Sequence, residues 1–421
     1  MRALVFENDV PRIVATKLLS ALTPRAFVGP LAPMQLREIP EPALPADDWL
    51  VLRTRLCGVC GSDTKQVYLN GSFDNPMTAF ISFPQVLGHE VVATVERVGP
   101  GVRRRRAGER VVLNPWLSCA TRGLPLCEWC RRGDLAQCLN FRGGTLEPGI
   151  HHGNSRHATG GFAPLLPAHE SQCIPVPDGV SDEAAVLADP FSVSLHSILH
   201  SPPPPGGVAL VYGVGTLGLC AIPILRALHP SVRVLAVARF AHQARLAEKL
   251  GAHAVLPHEP QRAVIAGVAH ETGAEAVQPW RGLPVLNGGV DVVYDTVGKP
   301  DTLEVGLRVT RSRGRISVTG VEAPRRFEWT PLYFKEIAVI GSNAFGVEEL
   351  GGRRQHAMEW YFELVRTRGI DLTPILTHRF PLARWRDAFR TAYDQGASGA
   401  VKMLFDYRPG SGDTPRSGDV D

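Results

Sequence analysis

The first half of the chain carries short segments in which apolar and polar residues alternate or valine clusters. Leu50–Leu56 alternates apolar and basic side chains, which is the period of a strand with one buried face. Val91–Val98 and Arg110–Leu113 are β-rich runs that predict two further strands. Because glycines interrupt these short strands, the pattern predicts a small β-barrel-like domain.

The pattern changes after the proline- and glycine-rich segment Pro202–Gly207. Strand-like apolar runs then alternate with helix-like runs, beginning with Val208–Tyr212 and ending with Ala338–Ser342. Such alternation predicts a doubly wound parallel sheet in an α/β fold. A length of 421 residues also favours two domains over one core.

The charge of the chain excludes some classes of partner. The formal net charge of +4 is small for this length, so we expect neither nucleic acid nor a membrane as a partner. The stretch Val208–Leu225 is uncharged and long enough to suggest a membrane span. It contains Gly213, Gly215, Gly218 and Pro223, which favour a nucleotide-binding loop instead.

The cysteines and the first residues indicate a compartment. The chain has eight cysteines, and residues 1–10 contain no apolar core of signal-peptide length. Without export, an even number of cysteines favours metal ligands or reduced thiols over disulfides. We therefore expect a cytoplasmic protein.

A glycine-rich motif lies between the first strand and the first helix of the predicted parallel sheet. The motif is Gly213-Val214-Gly215-Thr216-Leu217-Gly218, and in this context it indicates dinucleotide binding. Its glycines permit a tight turn, close approach of the pyrophosphate and packing of helix on strand, with the pyrophosphate at the helix N-terminus. Pro223 falls inside the predicted helix, where we expect it to kink the chain at a cost of about 3 kcal/mol.

Two short motifs in the first half carry groups that bind zinc. The stretch Cys57-Gly58-Val59-Cys60-Gly61-Ser62-Asp63 precedes Gly88-His89-Glu90. A thiolate, an imidazole and a third ligand would leave one zinc position open for chemistry, whereas a redox pair of the two thiols is the alternative. In this order and spacing, the motifs resemble the zinc-dependent medium-chain dehydrogenases, the family of alcohol, sorbitol and threonine dehydrogenases.

The resemblance implies a fold and a division into domains. It implies a chaperonin-10-like β-barrel catalytic domain beside a Rossmann domain that binds a nicotinamide dinucleotide. It also implies that the chain returns to the first domain near its end. We therefore expect a catalytic domain in residues 1–189 and 345–421, and a nucleotide-binding domain in residues 190–344.

The resemblance also assigns candidate ligands for a catalytic zinc. The family's first two ligands match Cys60 and His89. The third, in the sorbitol dehydrogenase branch, is a glutamate before proline, and Asp189 occupies that place with a shorter side chain; a helix cap or surface carboxylate is its alternative role. Glu90 is implied as a transient or alternative ligand. Asp63 is a candidate to orient the zinc-bound imidazole.

The family moves the substrate proton through a relay of side chains. Ser62 matches the family's relay hydroxyl, whereas Lys65 stands where the family has a histidine. A lysine shuttles protons only if its pKa is lowered, and water is the alternative carrier. A glycine-rich loop over residues 139–169 contains three histidines that we expect on the surface, with a place near the active site as the alternative: His151, His152 and His157.

A second group of cysteines resembles the family's structural zinc lobe. Cys127, Cys130 and Cys138 match the last three ligands of that lobe. The matching place for the first ligand holds Leu124, and we interpret Cys119 as the fourth ligand across an insertion. Four thiolates would form a closed tetrahedral zinc site. The alternative is a partly vestigial lobe with a disulfide or free thiols.

The end of the second strand of the parallel sheet indicates which cofactor is used. NAD-specific enzymes of this architecture place an acidic residue there, and the matching residue here is Ala238. Arg239 follows and could pair with a 2′-phosphate, while His242 and Arg245 add positive charge. NADP is therefore favoured over NAD, with a solvated Arg239 and loosely bound NAD as the alternative.

These observations predict a zinc-dependent, NAD(P)-linked alcohol dehydrogenase or ketone reductase. The expected substrate is a small polyol, a sugar-like alcohol or another secondary alcohol, and the expected assembly is a homodimer or homotetramer. A zinc-free quinone or enoyl reductase on the same fold is one alternative. A dinucleotide-binding sensor without turnover is another.

Overall fold

The structure, a computed structural model, describes residues 1–71, 75–320, 328 and 330–410. Its contacts divide the chain into two units. The first comprises Met1–Asp189 and the chain from Leu376 onward, and the second is Pro190–Ile375. No helix in these described ranges has both the length and the apolar composition that crossing a bilayer requires.

The division differs from the predicted domains over residues 345–375, which group with the second unit. Side-chain contacts explain the difference. The ring of Tyr361 lies 4.8 Å from that of Phe191, and a Glu348 carboxylate oxygen lies 2.7 Å from His196 Nδ1. The predicted boundary at residue 345 is therefore not where the contacts change, and the domain assignment otherwise stays a prediction.

The first part of the first unit is built from short strands, as the alternating pattern predicts. The predicted strands at Leu50, Val91 and Arg110 are confirmed, and the first is longer than expected because it continues to Gly58. The strands are β1 (Arg2–Phe6), β2 (Met34–Glu38), β3 (Trp49–Gly58), β4 (Gln85–Val86), β5 (Glu90–Val98), β6 (Arg110–Leu113), β7 (Leu165–His169) and β8 (Cys173–Pro175). The helices are α1 (Val10–Ser20), α2 (Gly61–Val67), α3 (Glu128–Arg132) and α4 (Asp182–Ala185).

The second unit alternates helices and strands. Its strands are β9 (Val208–Tyr212), β10 (Arg233–Ala238), β11 (Ala254–Pro257), β12 (Glu275–Val277), β13 (Val285–Asn287), β14 (Val290–Asp295), β15 (Thr310–Val318), β16 (Ala338–Gly341), β17 (Val347–Leu350) and β18 (Arg353–His356). Its helices are α5, which begins just before it (Ala188–His200), α6 (Thr216–Leu228), α7 (Ala241–Lys249), α8 (Gln261–Thr272), α9 (Pro300–Val309), α10 (Thr330–Phe334) and α11 (Ala357–Arg368).

The last part of the chain completes the first unit with β19 (Leu376–Phe380), α12 (Trp385–Tyr393), α13 (Gln395–Ser398) and β20 (Lys402–Asp406). The strands of the main sheet run in the order β19-β20-β3-β5-β6-β8, and β7 pairs with β3. β3 is antiparallel to β5, β7 and β20, so strands far apart in sequence meet along it. Phe162 and Phe405, buried with ring centroids 5.0 Å apart, are part of the core under this sheet.

The central sheet of the second unit has the strand order β11-β10-β9-β14-β15-β16, and every pair in it is parallel. Strands buried on both faces are expected to be apolar throughout, and Ala209–Tyr212 of β9 are all buried. The predicted doubly wound sheet is therefore confirmed. α6 runs through Pro223 as one helix, and Gly218–Leu225 are all buried.

Candidate active site and metal centres

Cys60, His89 and Glu90 come together in the first unit. The Cys60 sulfur, a His89 ring nitrogen and a Glu90 carboxylate oxygen all lie within 4.8 Å of one another. Cys60 precedes α2, and His89 immediately precedes β5, which begins at Glu90. Since β3 ends at Gly58 beside Glu90 in the β-ladder, the pairing of two strands brings the two motifs to one place.

Gly58 leaves room for the Glu90 carboxylate. A Cβ atom at position 58 would lie 2.1 Å from Glu90 Oε2 and 3.0 Å from Lys402 Cε. Any side chain at this position would therefore displace the Glu90 carboxylate. The glycine of the cysteine motif makes room for the group that follows the histidine.

Asp63 ties the two ligand-bearing loops together. Its carboxylate accepts hydrogen bonds from the backbone N–H of Cys60 at 2.9 Å and of Gly88 at 3.4 Å. One of its oxygens lies 3.8 Å from His89 Nδ1. Burial raises the pKa of Asp63, although the nearby imidazole opposes the shift. The separation from His89 Nδ1 is too long for a hydrogen bond, and this nitrogen is buried without a hydrogen-bond partner among the described residues, so the role of Asp63 in orienting His89 stays a prediction.

Asp189 is the second residue of α5 and is 6% exposed. It is not part of the compact group of Cys60, His89 and Glu90. Burial raises the pKa of Asp189 to about 7, with His89 and Glu90 among the charges that act on it. Its Oδ2 atom is buried without a hydrogen-bond partner in the described part of the chain. A buried oxygen of this kind is costly unless a cation or proton satisfies it.

Lys402 was not predicted as part of the site. This residue of β20 is 1% exposed, forms an ion pair with Glu90, and donates a hydrogen bond from Nζ to the Val59 carbonyl at 3.1 Å. Burial opposes its charge, but Glu90 and the neighbouring Cys60 and Asp189 raise the pKa of Lys402. The one local signal in the sequence is a lysine within the apolar run of β20.

The donor set has the chemistry of a zinc site. A thiol, an imidazole and buried carboxylates are ligands that zinc accepts. Burial lowers the pKa of His89, but negative charge from Cys60, Asp63 and Asp189 outweighs it, so the pKa is raised. Groups that can carry negative charge therefore lie around His89, and a divalent cation that replaces their protons fits this arrangement.

The histidines of the 139–169 loop do not all lie on the surface. His157 is exposed as predicted, whereas His151 is half-buried and His152 fully buried. The His151 ring centroid lies 4.7 Å from that of His89 and 5.8 Å from that of Trp116, which forms a β-bridge with it. The surface prediction is therefore wrong for the first two, because the loop folds back on the candidate site.

His151 lies beside the candidate site as a neutral imidazole. Burial and the adjacent His89 lower the pKa of His151 to about 3. Its Nδ1 lies 2.6 Å from the His152 carbonyl oxygen, so this nitrogen carries the proton and donates it. The predicted relay residues Ser62 and Lys65 are both exposed on α2, and their role in proton transfer stays a prediction.

The four predicted cysteines of the second cluster also come together. The sulfurs of Cys119, Cys127, Cys130 and Cys138 lie within 4.8 Å of one another, and all four are free thiols. Cys127 caps α3, Cys130 lies within it, and Gly133 ends it with a φ of 94°. This geometry favours a shared metal over a disulfide-bonded or dispersed lobe.

Backbone and side-chain N–H groups point at these sulfurs. Asn140 donates its backbone N–H to Cys138 Sγ at 3.3 Å and its amide to Cys119 Sγ at 3.2 Å. A hydrogen bond with the Cys130 thiol, against the effect of burial, lowers the pKa of Cys138 to about 5. The surroundings therefore stabilise the thiolate of Cys138, which is the form that binds metal, whereas the hydrogen bond with Cys138 and burial raise the pKa of Cys130.

Arg122 is a buried cation beside this cluster that was not predicted. It is fully buried, and its guanidinium donates hydrogen bonds to backbone carbonyls on both sides of the loop. The acceptors are Leu117, Gly143, Leu146, Glu147 and Gly149. Burial lowers the pKa of Arg122 to about 10, with Cys138 and Cys119 acting in the opposite direction.

The glycine motif of the second unit forms the turn between β9 and α6. Gly213 has a φ of 92°, and a Cβ atom there would lie 2.3 Å from Val297 Cγ2. A Cβ at Gly218 would meet the Gly213 carbonyl oxygen at 2.1 Å, so helix and strand pack closely here. Nothing lies within 4 Å of the equivalent position at Gly215, which leaves space for a ligand.

Arg239 follows Ala238, the last residue of β10, as predicted. Its side chain is exposed, and its guanidinium carbon lies 5.0 Å from the Phe240 ring centroid. The Phe240 ring in turn stacks on that of His242, with centroids 5.5 Å apart. The end of the second strand therefore carries an accessible cation in place of a carboxylate.

Both units match known protein families. Residues 46–178 match the alcohol dehydrogenase GroES-like domain, and residues 216–363 match the zinc-binding dehydrogenase family. The L-threonine 3-dehydrogenase of Saccharopolyspora erythraea is 28% identical over 372 residues, which is 87% of this chain and 95% of the relative. The (R,R)-butanediol dehydrogenase of Saccharomyces cerevisiae is 28% identical over 330 residues, covering 74% and 80%.

A solved structure shares the architecture. The alcohol dehydrogenase TADH from Thermus sp. ATN1 superposes with a TM-score of 0.71 at 25% identity, covering 97% of this chain and 100% of that one. The predicted combination of a chaperonin-10-like barrel and a Rossmann domain is thereby confirmed. This chain belongs to the zinc-dependent medium-chain dehydrogenase/reductase family.

Proposed function

We propose that this protein is a zinc-dependent oxidoreductase that transfers a hydride between an alcohol and NAD(P). The convergence of Cys60, His89 and Glu90 carries the proposal, together with a buried Asp189 oxygen that has no hydrogen-bond partner among the described residues. Cys60 is half-buried and the other three groups are buried, in a chain whose second unit has a dinucleotide-type glycine turn.

Cys60, His89 and Asp189 would hold the catalytic zinc, with Glu90 as an alternative ligand. When bound, zinc supplies a Lewis acid that eases deprotonation of an alcohol near neutral pH. Asp63 would keep the His89 ring oriented, because it accepts a backbone hydrogen bond from Cys60 in one motif and from Gly88 in the other. Lys402 would hold Glu90 in an ion pair whenever this carboxylate is not a zinc ligand.

The overall reaction converts an alcohol and the oxidised cofactor to a carbonyl compound, the reduced cofactor and a proton. The released proton needs a route to solvent. Ser62 and Lys65 lie on the exposed side of α2, one turn apart, and would pass it outward. His151 would not compete for it, because its pKa lies far below neutrality.

The cofactor would bind at Gly213–Gly218, with its pyrophosphate at the N-terminus of α6. Arg239 would bind a 2′-phosphate, so the proposal favours NADP over NAD. The substrate class is a small secondary alcohol or polyol, in keeping with relatives named for threonine and butanediol.

A homodimer or homotetramer acting in the cytoplasm completes the proposal. None of the eight cysteines, all of which lie in the described part of the chain, forms a disulfide, which suits a reducing compartment. Light scattering coupled to size-exclusion chromatography measures the assembly directly. A monomer at micromolar concentration would contradict this part of the proposal.

The test combines metal content with turnover. Wild-type protein is screened with secondary alcohols, polyols and the matching ketones in the presence of NAD(H) and NADP(H), before and after zinc removal. We expect activity that zinc removal abolishes and zinc addition restores. In Cys60→Ala we expect kcat/KM to fall by at least about 100-fold, because a ligand of the reacting metal is lost.

Cys173→Ala is the matched control, since it removes another buried thiol of the first unit outside both clusters. It should keep both its zinc and its activity. Activity that survives complete zinc removal would favour a zinc-free reductase. Cofactor binding without turnover of any substrate would favour a sensor. Either result would overturn the proposal.

A further inference from the structure

The second unit contains a third group of side chains with metal-binding chemistry. His196 and His200 lie on α5, and Glu348 lies on β17. One ring nitrogen of each histidine and a carboxylate oxygen of the glutamate all lie within 4.8 Å of one another. None of these residues belongs to the proposed catalytic zinc site or to the four-cysteine cluster of the first unit.

Helix spacing brings the two imidazoles together. Residues four apart lie on one face of an α-helix, and this spacing lets two histidines bind one zinc ion. Their ring centroids are 4.0 Å apart with an interplanar angle of 36°. Two charged imidazolium rings at this distance would repel each other, whereas two neutral rings on one cation would not.

Glu348 faces both rings with a different oxygen. Its Oε1 lies 2.7 Å from His196 Nδ1, and its Oε2 lies 3.4 Å from His200 Nε2. The Gly346 N–H also donates to Oε1 at 3.3 Å. Glu348 is 3% exposed, so its carboxylate is largely shielded from solvent.

The cluster is closed on one side and accessible on the other. The His196 side chain is 16% exposed and that of His200 is 51% exposed. An ion would therefore enter past the exposed His200 and bind the less exposed His196 and Glu348. A hydrogen bond between Glu348 and His196 alone would satisfy the buried carboxylate. The additional contact with His200 is therefore better explained by a shared metal ion.

We propose that His196, His200 and Glu348 form a divalent metal site for zinc or another imidazole-binding transition metal. Two imidazoles and one carboxylate are a ligand set found in zinc sites, and they leave a fourth position for water. The ion would bridge α5 and β17. This site does not depend on the proposed dehydrogenase activity.

The test is a Zn²⁺ titration of the full-length, zinc-loaded protein followed by calorimetry and by metal analysis after dialysis. His200→Asn is the main variant, because a half-exposed residue can be replaced without disturbing the core. Glu348→Gln is a second variant that keeps the side-chain shape. We expect wild type to retain one zinc per chain more than either variant.

The expected loss of affinity for this ion is at least about 100-fold, since even groups outside the ligand set change metal affinity by 10- to 100-fold. His270→Asn is the matched control. His270 is an exposed histidine on α8 whose Nδ1 lies 3.4 Å from Glu271, so it forms a histidine–carboxylate pair without a second imidazole. This variant should bind zinc as wild type does.

Equal zinc content and equal affinity in wild type, His200→Asn and His270→Asn would overturn the proposal. The cluster would then be a hydrogen-bonded pair only. Anomalous diffraction from a zinc-soaked crystal gives a second readout that does not depend on variants. A peak between His196 and Glu348 is expected, and zinc at the cysteine cluster without a peak here would also overturn it.

Discussion

At the scale of single residues, the candidate active site is defined by buried charges that need partners. One buried oxygen of Asp189 has no hydrogen-bond partner in the described part of the chain, and Glu90 forms an ion pair with Lys402. A buried carboxylate is unfavourable unless a proton or a positive charge, such as a metal ion or Lys402, is next to it. Stability measurements therefore report on the site independently of turnover.

The raised pKa of Asp189 predicts how the stability of the zinc-free protein depends on pH. The pKa is about 7 in the folded chain and about 3.9 in an unfolded one. A raised pKa contributes stability that is present below about pH 4 and is lost as the pH rises to about 7. We expect zinc-free protein to unfold at a lower urea concentration at pH 8 than at pH 5.

Asp189→Asn is the variant that isolates this effect, because an amide has the same shape and does not titrate. The difference between the urea midpoints at the two pH values should be smaller in this variant. Zinc should abolish the difference in wild type, since the ion replaces the proton. Parallel pH dependences in wild type and Asp189→Asn would contradict the assignment.

Lys402→Met should destabilise the protein by about 3–5 kcal/mol, because it leaves Glu90 buried without its partner. The double variant Lys402→Met/Glu90→Gln should recover most of this loss. Arg53→Met is the control, since Arg53 pairs with Glu96 at the surface, where such pairs contribute about 0–1 kcal/mol. Urea denaturation measures all three, and equal midpoints for the single and double variants would refute the buried pair.

At the scale of elements, two short segments carry separable functions: the lobe around α3 and the turn after β10. In the lobe, Arg122 and the cysteine cluster hold a loop that contains little regular secondary structure. In the turn, Arg239 extends from a strand whose last residue is buried. Each segment can be tested without altering the candidate catalytic residues.

Cys130→Ser should remove one zinc per chain relative to the parent protein and lower the thermal midpoint, because a structural zinc site contributes folding free energy. The value of kcat should change little at temperatures where the variant is folded. Cys220→Ser, on α6 and outside the cluster, is the control. Metal analysis decides the matter, and an unchanged zinc content in Cys130→Ser would exclude a metal at the four cysteines.

Arg239→Ala should lower the ratio of kcat/KM for NADP to that for NAD by about 10- to 100-fold. The reason is that a hydrogen bond between charged groups is worth about 1.5–3 kcal/mol. Arg245→Ala, on the following helix α7, controls for a general loss of positive charge and should change the ratio less. A wild type that prefers NAD, or a ratio that Arg239→Ala leaves unchanged, would be the opposite result.

At the scale of the whole molecule, local patterns in the sequence predict most of the fold and part of the candidate site. The alternation of strands and helices predicts the parallel sheet, and the glycine motif lies at its first turn. Lys402 could not be found in this way, because it meets Val59 from 343 residues away and no periodicity records that contact. His151 was misplaced for the same reason, since a loop gives no signal of the surface it folds against.

The grouping of residues 345–375 differs from the predicted boundary for a related reason. Resemblance predicted where the chain returns to the first unit, but Tyr361 lies against Phe191 and Glu348 against His196, both within the second. Long-range contacts between side chains decide such boundaries, and a short stretch of sequence does not contain them.

The lack of space between Gly58 and Glu90 limits which residues position 58 tolerates. Position 58 takes no part in chemistry, yet every side chain larger than hydrogen would displace a buried carboxylate and its lysine. In a library that samples all amino acids and is selected for turnover, this glycine should be as intolerant of change as Cys60 and His89. Invariance at position 58 would therefore record a lack of room and would not identify a residue that acts on the substrate.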